Sequence, residues 1–309
     1  MKPIKLIPVT KDYIWGGTKL KKYFNKQASN NTIAETWELS LFEGSESLLA
    51  DETLGVNNLY ELRKSFPQWL GKASYGVFPV LIKLIDATND LSVQVHPSDE
   101  YALQYENSLG KTEMWYIVDA EKDGAIYLGF ERDTTKQEVE QAIAVNGLQD
   151  LLHKIPVKKG DCYFVPAGTV HAILHGVTIV EVQQSSNLTY RLYDYGRRDA
   201  QGNLRPLHIE KALKILNYKA FKDVTCTKQI TTQQKLLARC KYFTATQVDV
   251  DGQFTICNNN SFVSITVFDG CGSFVDGEQI QKGDTWFIPC GYSATIKGTL
   301  SFISTTVEE

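Results

Sequence analysis

Three polar side chains alternate with two valines in the segment "SVQVHP". The side chains of a strand point alternately to its two faces, so Ser92, Gln94 and His96 share one face, and Val93 and Val95 share the other. A polar face of this kind points into a barrel when the barrel holds a ligand. Taken alone, however, one histidine on a strand is more commonly a hydrogen-bonded structural residue.

A second polar face follows in "GKTEMWYIVDA", where the same alternation places Lys111, Glu113 and Trp115 together. A buried carboxylate without a partner is costly, so Glu113 requires a nearby cation. Lys111, two residues away, is one candidate and a metal ion is the other. On this segment alone, a simple ion pair is the more economical interpretation.

The third segment, "GDCYFVPAGTVHAI", has the spacing G-x5-P-x-G-x2-H. Pro166 and Gly168 predict a tight turn that delivers His171 at the start of the next strand. This pattern is more specific than any single residue. It therefore adds a second histidine in a defined backbone setting.

The three segments together resemble the two sequence motifs of cupins, small jelly-roll barrels that hold a metal. His96, Glu113 and His171 supply two imidazole nitrogens and a carboxylate oxygen, which suit zinc and related divalent ions. Gln94 is a candidate fourth ligand through its amide oxygen, at a place where many cupins have another histidine. We therefore predict one metal site built from these four residues.

Two further residues are candidates for chemistry in the segment "EVQQSSNLTYRLYDYGRRD". Glu181 lies on a strand that leads out of the His171 hairpin. Arg191 follows in a polar, aromatic stretch, where it either ties down a loop or holds phosphate or developing oxyanion charge. We interpret Arg197 and Arg198 as residues of a solvated turn.

The other three histidines are assigned no chemistry. His175 lies four residues after His171, a spacing that pairs metal ligands on a helix. The glycines and β-branched residues around it argue against a helix, so we interpret His175 as a loop residue. His153 and His208 fall in predicted helical contexts and are interpreted as structural.

The composition excludes several classes of function. The chain has 309 residues and a net charge of −4, which implies no nucleic-acid partner. No run approaches the roughly 18 apolar residues of a membrane span, and the first residues lack the apolar segment of a signal peptide. No nucleotide-binding glycine loop or G-x-S-x-G nucleophile setting occurs. We expect a cytoplasmic protein with no membrane partner.

Cysteine usage points to a reduced protein. The six cysteines include no C-x-x-C pair, and we interpret them as buried reduced thiols rather than a zinc–thiolate site. They are Cys162, Cys226, Cys240, Cys257, Cys271 and Cys290.

Many short runs rich in valine, isoleucine and aromatic residues predict a mainly β fold of jelly-roll type. Helices are predicted in only three segments, "NNLYELRKSF", "TKQEVEQAIAVNG" and "LHIEKALKILN". A second turn segment, "GDTWFIPCGYSATI", repeats the glycines and proline of the first but has Ala294 in place of its histidine. We therefore predict two related cupin domains, a metal-binding one over 1–235 with helical insertions and one over 236–309 that lacks the metal site.

The chain resembles type I phosphomannose isomerase in its short bacterial form. The resemblance runs in order through most of the first 215 residues, and "QVHP" and "GKTEMWY" are its most specific parts. It is carried by "YIWGG", "IAETWELS", "LSVQVHPSDEYA", "GKTEMWYIVDA", "VPAGTVHAI" and "SSNLTYRLYDYGR". The chain is too short for the helical domain that long family members insert, so only short helices are expected around 134–154.

The resemblance implies two cupin domains with one zinc ion, and a reaction that interconverts mannose 6-phosphate and fructose 6-phosphate through a cis-enediol. Its zinc ligands fall on Gln94, His96, Glu113 and His171, and its active-site arginine falls on Arg191. Its remaining active-site positions fall on Lys111 and Glu181.

Two other functions are compatible with a cupin of this kind. One is a non-catalytic sugar-sensing protein, although a mere binder has no need of the full ligand set together with Lys111 and Arg191. The other is a different cupin enzyme, either another sugar isomerase or an iron oxygenase. We expect a sugar-phosphate substrate and a monomer.

Overall fold

The computed structural model describes residues 1–198, 202–225 and 227–307, and within them the fold is mainly β, as predicted. The strands, in chain order, are β1 (Ile4–Ile7), β2 (Val9–Lys11), β3 (Glu35–Leu39), β4 (Leu48–Leu49), β5 (Val80–Ala87), β6 (Val93–Val95), β7 (Glu113–Ala120), β8 (Ala125–Phe130), β9 (Leu152–Pro156), β10 (Cys162–Val165), β11 (His171–Ile173), β12 (Val177–Gln184), β13 (Tyr190–Tyr193), β14 (Lys228–Gln229), β15 (Gln234–Arg239), β16 (Thr244–Ile256), β17 (Val263–Phe274), β18 (Gln279–Gln281), β19 (Thr285–Ile288) and β20 (Ala294–Thr306).

The helices in the described ranges are short. They are α1 (Lys19–Phe24), α2 (Leu59–Ser65), α3 (Asp99–Tyr105), α4 (Lys136–Ala144) and α5 (Ile209–Ile215), with single 3-10 turns at Glu52–Leu54, Pro67–Trp69, Lys72–Ser74 and Leu148–Leu151. None of these helices has the length and apolar character that crossing a lipid bilayer requires.

The three helices predicted from sequence are present as α2, α4 and α5. Thr135 caps α4 in a complete capping box with Glu138, which explains why this helix was visible in the sequence. Helices α1 and α3, of six and seven residues, were not predicted. His153 lies on β9 rather than in a helix, so its predicted context was wrong.

Two antiparallel sheets form the first barrel. The six-stranded sheet has the order β10-β7-β12-β5-β3-β2, and the five-stranded sheet has the order β13-β6-β11-β8-β9. Their facing sides share one apolar cluster, to which Ile85, Trp115 and Ile179 contribute from the first sheet and Ile126 and Ile173 from the second. The cluster forms the apolar part of the space between the two sheets, and the polar residues of the inner face lie beside it.

The C-terminal strands form a nine-stranded sheet that also includes β1 and β4 from the beginning of the chain. Its interior is apolar and includes Val263, Ile265, Ile288, Ala294 and Ile296. Because these N-terminal strands pair into this sheet, the C-terminal barrel includes residues from the beginning of the chain. The boundary near residue 235 stays a prediction.

The repeated turn has the same backbone shape in both halves. Gly160 and Gly283 have φ angles of 92° and 91°, and Gly168 and Gly291 have 87° and 77°. Glycine adopts these left-handed conformations without the steric penalty that a Cβ imposes. The glycines shared by the two segments are therefore explained by one turn built twice, with His171 and Ala294 at the start of the following strands.

The described cysteines are all free thiols, as expected, but they are not all buried. Cys257 and Cys271 are exposed, because they lie near the ends and turns of the long C-terminal strands, while Cys162, Cys240 and Cys290 are half-buried. Cys226 lies outside the described residues.

Candidate metal centre and active-site cleft

Strand pairing brings the predicted site residues into two rows, one in each sheet of the first barrel. In the five-stranded sheet, Gln94 on β6 lies between His171 on β11 and Arg191 on β13. In the six-stranded sheet, Glu181 on β12 lies between Lys83 on β5 and a tryptophan on β7. The two rows carry the polar groups of one cleft.

His96, Glu113 and His171 meet as a cluster whose possible ligand atoms all lie within 4.8 Å of one another. The Nε2 atom of His171 is 3.4 Å from Glu113 Oε1, and the Nε2 atom of His96 is 3.7 Å from Glu113 Oε2. All three side chains are at most 1% exposed. The alternation of "SVQVHP" and the turn before His171 therefore place these residues together, as predicted.

Backbone carbonyls set the orientation of both imidazoles. His96 Nδ1 donates to the Leu188 carbonyl at 2.9 Å, and His171 Nδ1 donates to the Thr169 carbonyl at 2.8 Å. Each bond leaves the Nε2 lone pair directed toward Glu113, the arrangement that metal-binding histidines use. Burial and the Lys111 charge lower the pKa of His96 and bring that of His171 to about 4, so both rings are neutral at pH 7.

Gln94 and Lys111 complete the surroundings of the cluster. The half-buried Gln94 side-chain amide is 3.4 Å from His171 Nε2. Lys111 Nζ is 3.1 Å from His96 Nε2 and 2.5 Å from Glu113 Oε2. The ion pair that was the simpler interpretation of Glu113 is thus present, and it shares its carboxylate with the histidine cluster.

The donor set fits a divalent cation. Glu113 Oε1 is buried and has no hydrogen-bond partner among the described residues, so one lone-pair face of the carboxylate is open toward the histidines. Burial, together with the charge of Glu181, raises the pKa of Glu113. A cation bound between two neutral imidazoles and this carboxylate would satisfy the unpaired oxygen and favour its ionised form.

A cleft of about 280 Å³ opens over this cluster. Gln94, Lys111, Glu181 and Arg191, all named from the sequence, line it. The cleft also contains residues that sequence reasoning missed, namely Tyr13, Trp15, Glu35, Lys83 and Arg205. Lys111, Glu181 and Arg191 therefore share one cavity, which adjoins the cluster through Gln94 and Lys111.

Lys83 is a buried cation between two carboxylates. Its Nζ atom is 3.3 Å from Glu35 Oε2 and 3.4 Å from Glu181 Oε1. Burial opposes its charge, but the two carboxylates prevail and raise the pKa of Lys83. A lysine in the middle of the apolar run "FPVLIKLID" was the signal that sequence reasoning passed over, because its partners are distant in the chain.

Glu181 is held in its ionised form. Trp115 Nε1 donates to Glu181 Oε2 at 3.0 Å, and Lys111 Nζ is 3.8 Å from Glu181 Oε1. Burial acts to raise the pKa of Glu181, but the charges of Lys111 and Lys83 and the tryptophan N–H outweigh it, so the pKa is lowered. The cleft thus presents a buried carboxylate that can accept a proton.

Arg191 reaches the cleft from the edge of the five-stranded sheet. Its Nε donates to Ser92 Oγ at 3.2 Å and its Nη1 donates to the Pro206 carbonyl at 2.9 Å. His208, at the start of α5, accepts the Arg191 backbone N–H at 3.1 Å, which supports its interpretation as structural.

The two arginines that follow, Arg197 and Arg198, differ in their exposure to solvent. Arg198 is exposed, as expected for a solvated turn. Arg197 lies in the turn, since its backbone N–H donates to the Asp194 carbonyl at 3.1 Å, but it is half-buried rather than solvated, and its side chain binds Asp194 and the Asp90 carbonyl. The reason is that Asp194, only 5% exposed, requires cationic partners.

His175 lies apart from the metal cluster. It is an exposed residue that pairs with Asp123 at 3.0 Å and with Asp90 at 3.4 Å. The interpretation of His175 as a loop residue is therefore confirmed, and its spacing from His171 does not bring the two rings to one ion.

Comparisons with known proteins give the family of this chain. Residues 4–127 match the profile "Phosphomannose isomerase type I, catalytic domain", and residues 232–307 match "Mannose-6-phosphate isomerase, cupin domain". The chain is 37% identical over 296 residues to mannose-6-phosphate isomerase ManA of Bacillus subtilis, covering 94% of this chain and 93% of that protein. The chain belongs to the type I phosphomannose isomerase family. The resemblance inferred from the six sequence segments is thereby confirmed.

Further comparisons support the same family and the same fold. The mannose-6-phosphate isomerase of Streptococcus mutans is 38% identical over 283 residues, 89% of each chain. The crystal structure of the mannose 6-phosphate isomerase from Bacillus subtilis superposes with a TM-score of 0.91 at 33% identity, covering 99% of this chain and 100% of that one. A phosphomannose isomerase from Salmonella typhimurium has a TM-score of 0.82 at 16% identity and full coverage of both chains, which shows likeness of fold alone. The predicted two-cupin fold class is thus confirmed.

Proposed function

We propose that this chain is a zinc-dependent isomerase that interconverts mannose 6-phosphate and fructose 6-phosphate. The observation that carries the proposal is a His–Glu–His cluster that adjoins, through Gln94 and Lys111, a cleft lined by the Lys83–Glu181 pair and Arg191. A sugar sensor needs affinity alone, whereas this cleft combines a cation site, a buried carboxylate and fixed donors. Membership of the family supports the same reaction.

The residues that would hold zinc are His96, Glu113 and His171, with Gln94 as the fourth ligand. Bound there, a zinc ion would supply Lewis acidity toward the sugar carbonyl. Two nitrogens and a carboxylate oxygen match zinc, and the carbonyl-bound Nδ1 atoms keep the rings in the required orientation.

The reaction moves one proton from C2 to C1 and a second proton from the C2 hydroxyl to the C1 oxygen, through a cis-enediol. We assign the transfer of the carbon-bound proton from C2 to C1 to Glu181, because this carboxylate is buried, ionised and positioned by Trp115. Lys111 and Arg191 would hold negative charge on the substrate, since both present N–H groups to the same cleft.

The test separates metal binding from turnover. Arg191→Ala is expected to keep one equivalent of zinc and to lose about 10²–10³ in turnover, since it removes a donor and leaves the ligands intact. His171→Ala is expected to lose both. His175→Ala is the matched control, because that histidine is exposed and lies outside the cluster, and it should keep both.

Metal analysis and a coupled assay on fructose 6-phosphate measure these outcomes. Full zinc occupancy and activity in His171→Ala would show that the site is misplaced. Wild-type protein with zinc but no turnover would favour the sugar sensor, and iron in its place would favour the oxygenase. The cytoplasmic location, the monomeric state and the division at residue 235 stay predictions.

A further inference from the structure

We propose that Arg205, positioned by Asp194, forms with Arg191 the end of the cleft that binds the phosphate group of the substrate. The inference rests on the proposed function, because it names the group that recognises one end of that substrate. Arg205 is a binding residue in this proposal, and Asp194 is a positioning residue that acts through it.

The first support is the rigid placement of Arg205. Its Nε donates to Asp194 Oδ2 at 2.8 Å and its Nη2 donates to Asp194 Oδ1 at 2.5 Å, a two-point contact that fixes the plane of the guanidinium. Asp194 is only 5% exposed and also accepts from Arg197. Asp194 uses two of the five N–H groups of Arg205, and among the described residues no other group accepts from this guanidinium, so the remaining N–H groups can face a ligand.

The second support is the position of the two arginines. Arg191 and Arg205 both line the cleft of about 280 Å³. The Arg191 guanidinium donates to the carbonyl of Pro206, the residue that follows Arg205, so the two side chains belong to one hydrogen-bonded unit. Arg191 is also the sheet neighbour of Gln94, and Gln94 contacts His171, so this unit begins beside the cluster.

The third support is charge. Arg191, Arg197 and Arg205 surround one carboxylate, that of Asp194, which gives this end of the site an excess of two positive charges. A phosphate monoester carries about −1.5 to −2 at pH 7. Burial lowers the pKa of Arg191, and the charge of Arg205 lowers it further. An anion bound between them would relieve that repulsion.

The part of the cleft beside the cluster does not offer such an excess. Two lysines there face three carboxylates, and each lysine is already in ion pairs; the residues are Lys83, Lys111, Glu35, Glu113 and Glu181. A divalent cation bound at the cluster would bring the balance there to one positive charge, still below the excess beside Arg205. A phosphate dianion is therefore favoured at the arginine end, and the reacting carbons are left for the end near the cluster.

The experiment uses full-length, zinc-loaded protein and two readouts. Arg205→Gln is expected to raise KM for mannose 6-phosphate by about 10- to 100-fold and to weaken competitive inhibition by inorganic phosphate equally, the loss expected for hydrogen bonds to a charged group. Turnover at saturation should change by less than about threefold, because Arg205 contacts only the phosphate, whereas Arg191, the sheet neighbour of Gln94, also lies beside the reacting end of the substrate. Arg198→Gln is the matched control, since it removes an exposed arginine from the same loop.

Two further variants separate binding from folding. Arg205→Lys keeps the positive charge but loses the planar guanidinium that makes the two-point contact, so its KM should lie between those of wild type and Arg205→Gln. Asp194→Asn should raise KM with little change in turnover, because it loosens Arg205 without removing it.

If Arg205→Gln and Arg205→Lys keep KM and phosphate inhibition within about twofold of the Arg198→Gln values, the proposal is wrong. A general loss of structure is recognised by loss of zinc and turnover in Arg205→Lys as well, and that result would make Arg205 a folding residue and overturn the proposal. If the wild-type protein does not turn over either sugar phosphate, the proposed function fails by itself. Calorimetry with inorganic phosphate then decides the role of Arg205 separately.

Discussion

Replacing Lys83 by methionine removes a buried ammonium group and keeps a side chain of similar length. Lys83 Nζ lies 3.3 Å from Glu35 and 3.4 Å from Glu181, and its side chain is 6% exposed. At an effective dielectric constant of about 20, each such charge pair attracts by about 5 kcal/mol. Desolvation opposes part of this attraction. We expect Lys83→Met to lower the free energy of unfolding by about 3–5 kcal/mol, as when a buried pair loses one partner.

The same change should alter catalysis in a specific way. Without Lys83, the cation nearest to Glu181 among the described residues is Lys111, at 3.8 Å. The pKa of Glu181 should therefore rise, and the acidic limb of the profile of kcat/KM against pH should move to higher pH. Turnover should fall by about 10²-fold, because the cation beside the proposed base Glu181 is lost and general-base catalysis contributes about 10²–10⁴.

A second buried lysine provides the control. Lys26 Nζ is 2.6 Å from Glu38, with side chains 6% and 0% exposed, and it also donates to the Gly283 carbonyl between the two barrels. Lys26→Met should lose similar stability and keep kcat, KM and the pH profile. Urea unfolding and the coupled isomerase assay measure both effects. Equal losses of turnover in the two variants, or turnover of Lys83→Met within threefold of wild type, would refute the reasoning.

Two other changes test buried positions away from the cleft. Asp86 is 1% exposed, its Oδ1 has no hydrogen-bond partner among the described residues, and burial raises its pKa. Folded Asp86 therefore holds its proton to higher pH than the unfolded chain, and stability falls as pH rises from about 4 through the folded pKa. Asp86→Asn should flatten that fall and stabilise the protein by about 1 kcal/mol at pH 7, and unfolding curves with an unchanged pH slope would contradict this. Ala294→His should destabilise the apolar C-terminal barrel by about 2–4 kcal/mol without adding a second metal equivalent, as urea unfolding and metal analysis would show.

The parts of the site that the sequence could predict are those carried by local patterns. Strand alternation placed Gln94 and His96 on one face, and the Pro–Gly turn placed His171 at the start of its strand. Lys83 and Glu181 come together only through the register of two strands about one hundred residues apart, which no local pattern specifies.

Arg205 was missed for a different reason. It lies outside the helices and strands, and its position depends on a two-point contact with Asp194 eleven residues earlier. A contact of this kind has no periodic signal. The helices α1 and α3 were likewise missed, whereas α4 was predicted from its threonine cap, the helical spacing of its apolar residues and the glycine that follows it.

The C-terminal barrel contacts the first barrel through strand β3. Alternation along β3 turns Glu35 toward the cleft and Glu38 toward the C-terminal barrel. Thr285, two residues after the repeated glycine Gly283, donates to Glu38 Oε2 at 2.8 Å, while Glu35 is the partner of Lys83. The contact therefore joins the repeated turn to the strand that carries the partner of Lys83. The turn itself needs Gly283 for a local reason, because its φ of 91° favours glycine and a Cβ there would lie 2.0 Å from the Phe24 carbonyl oxygen, whichever residue stands at position 294.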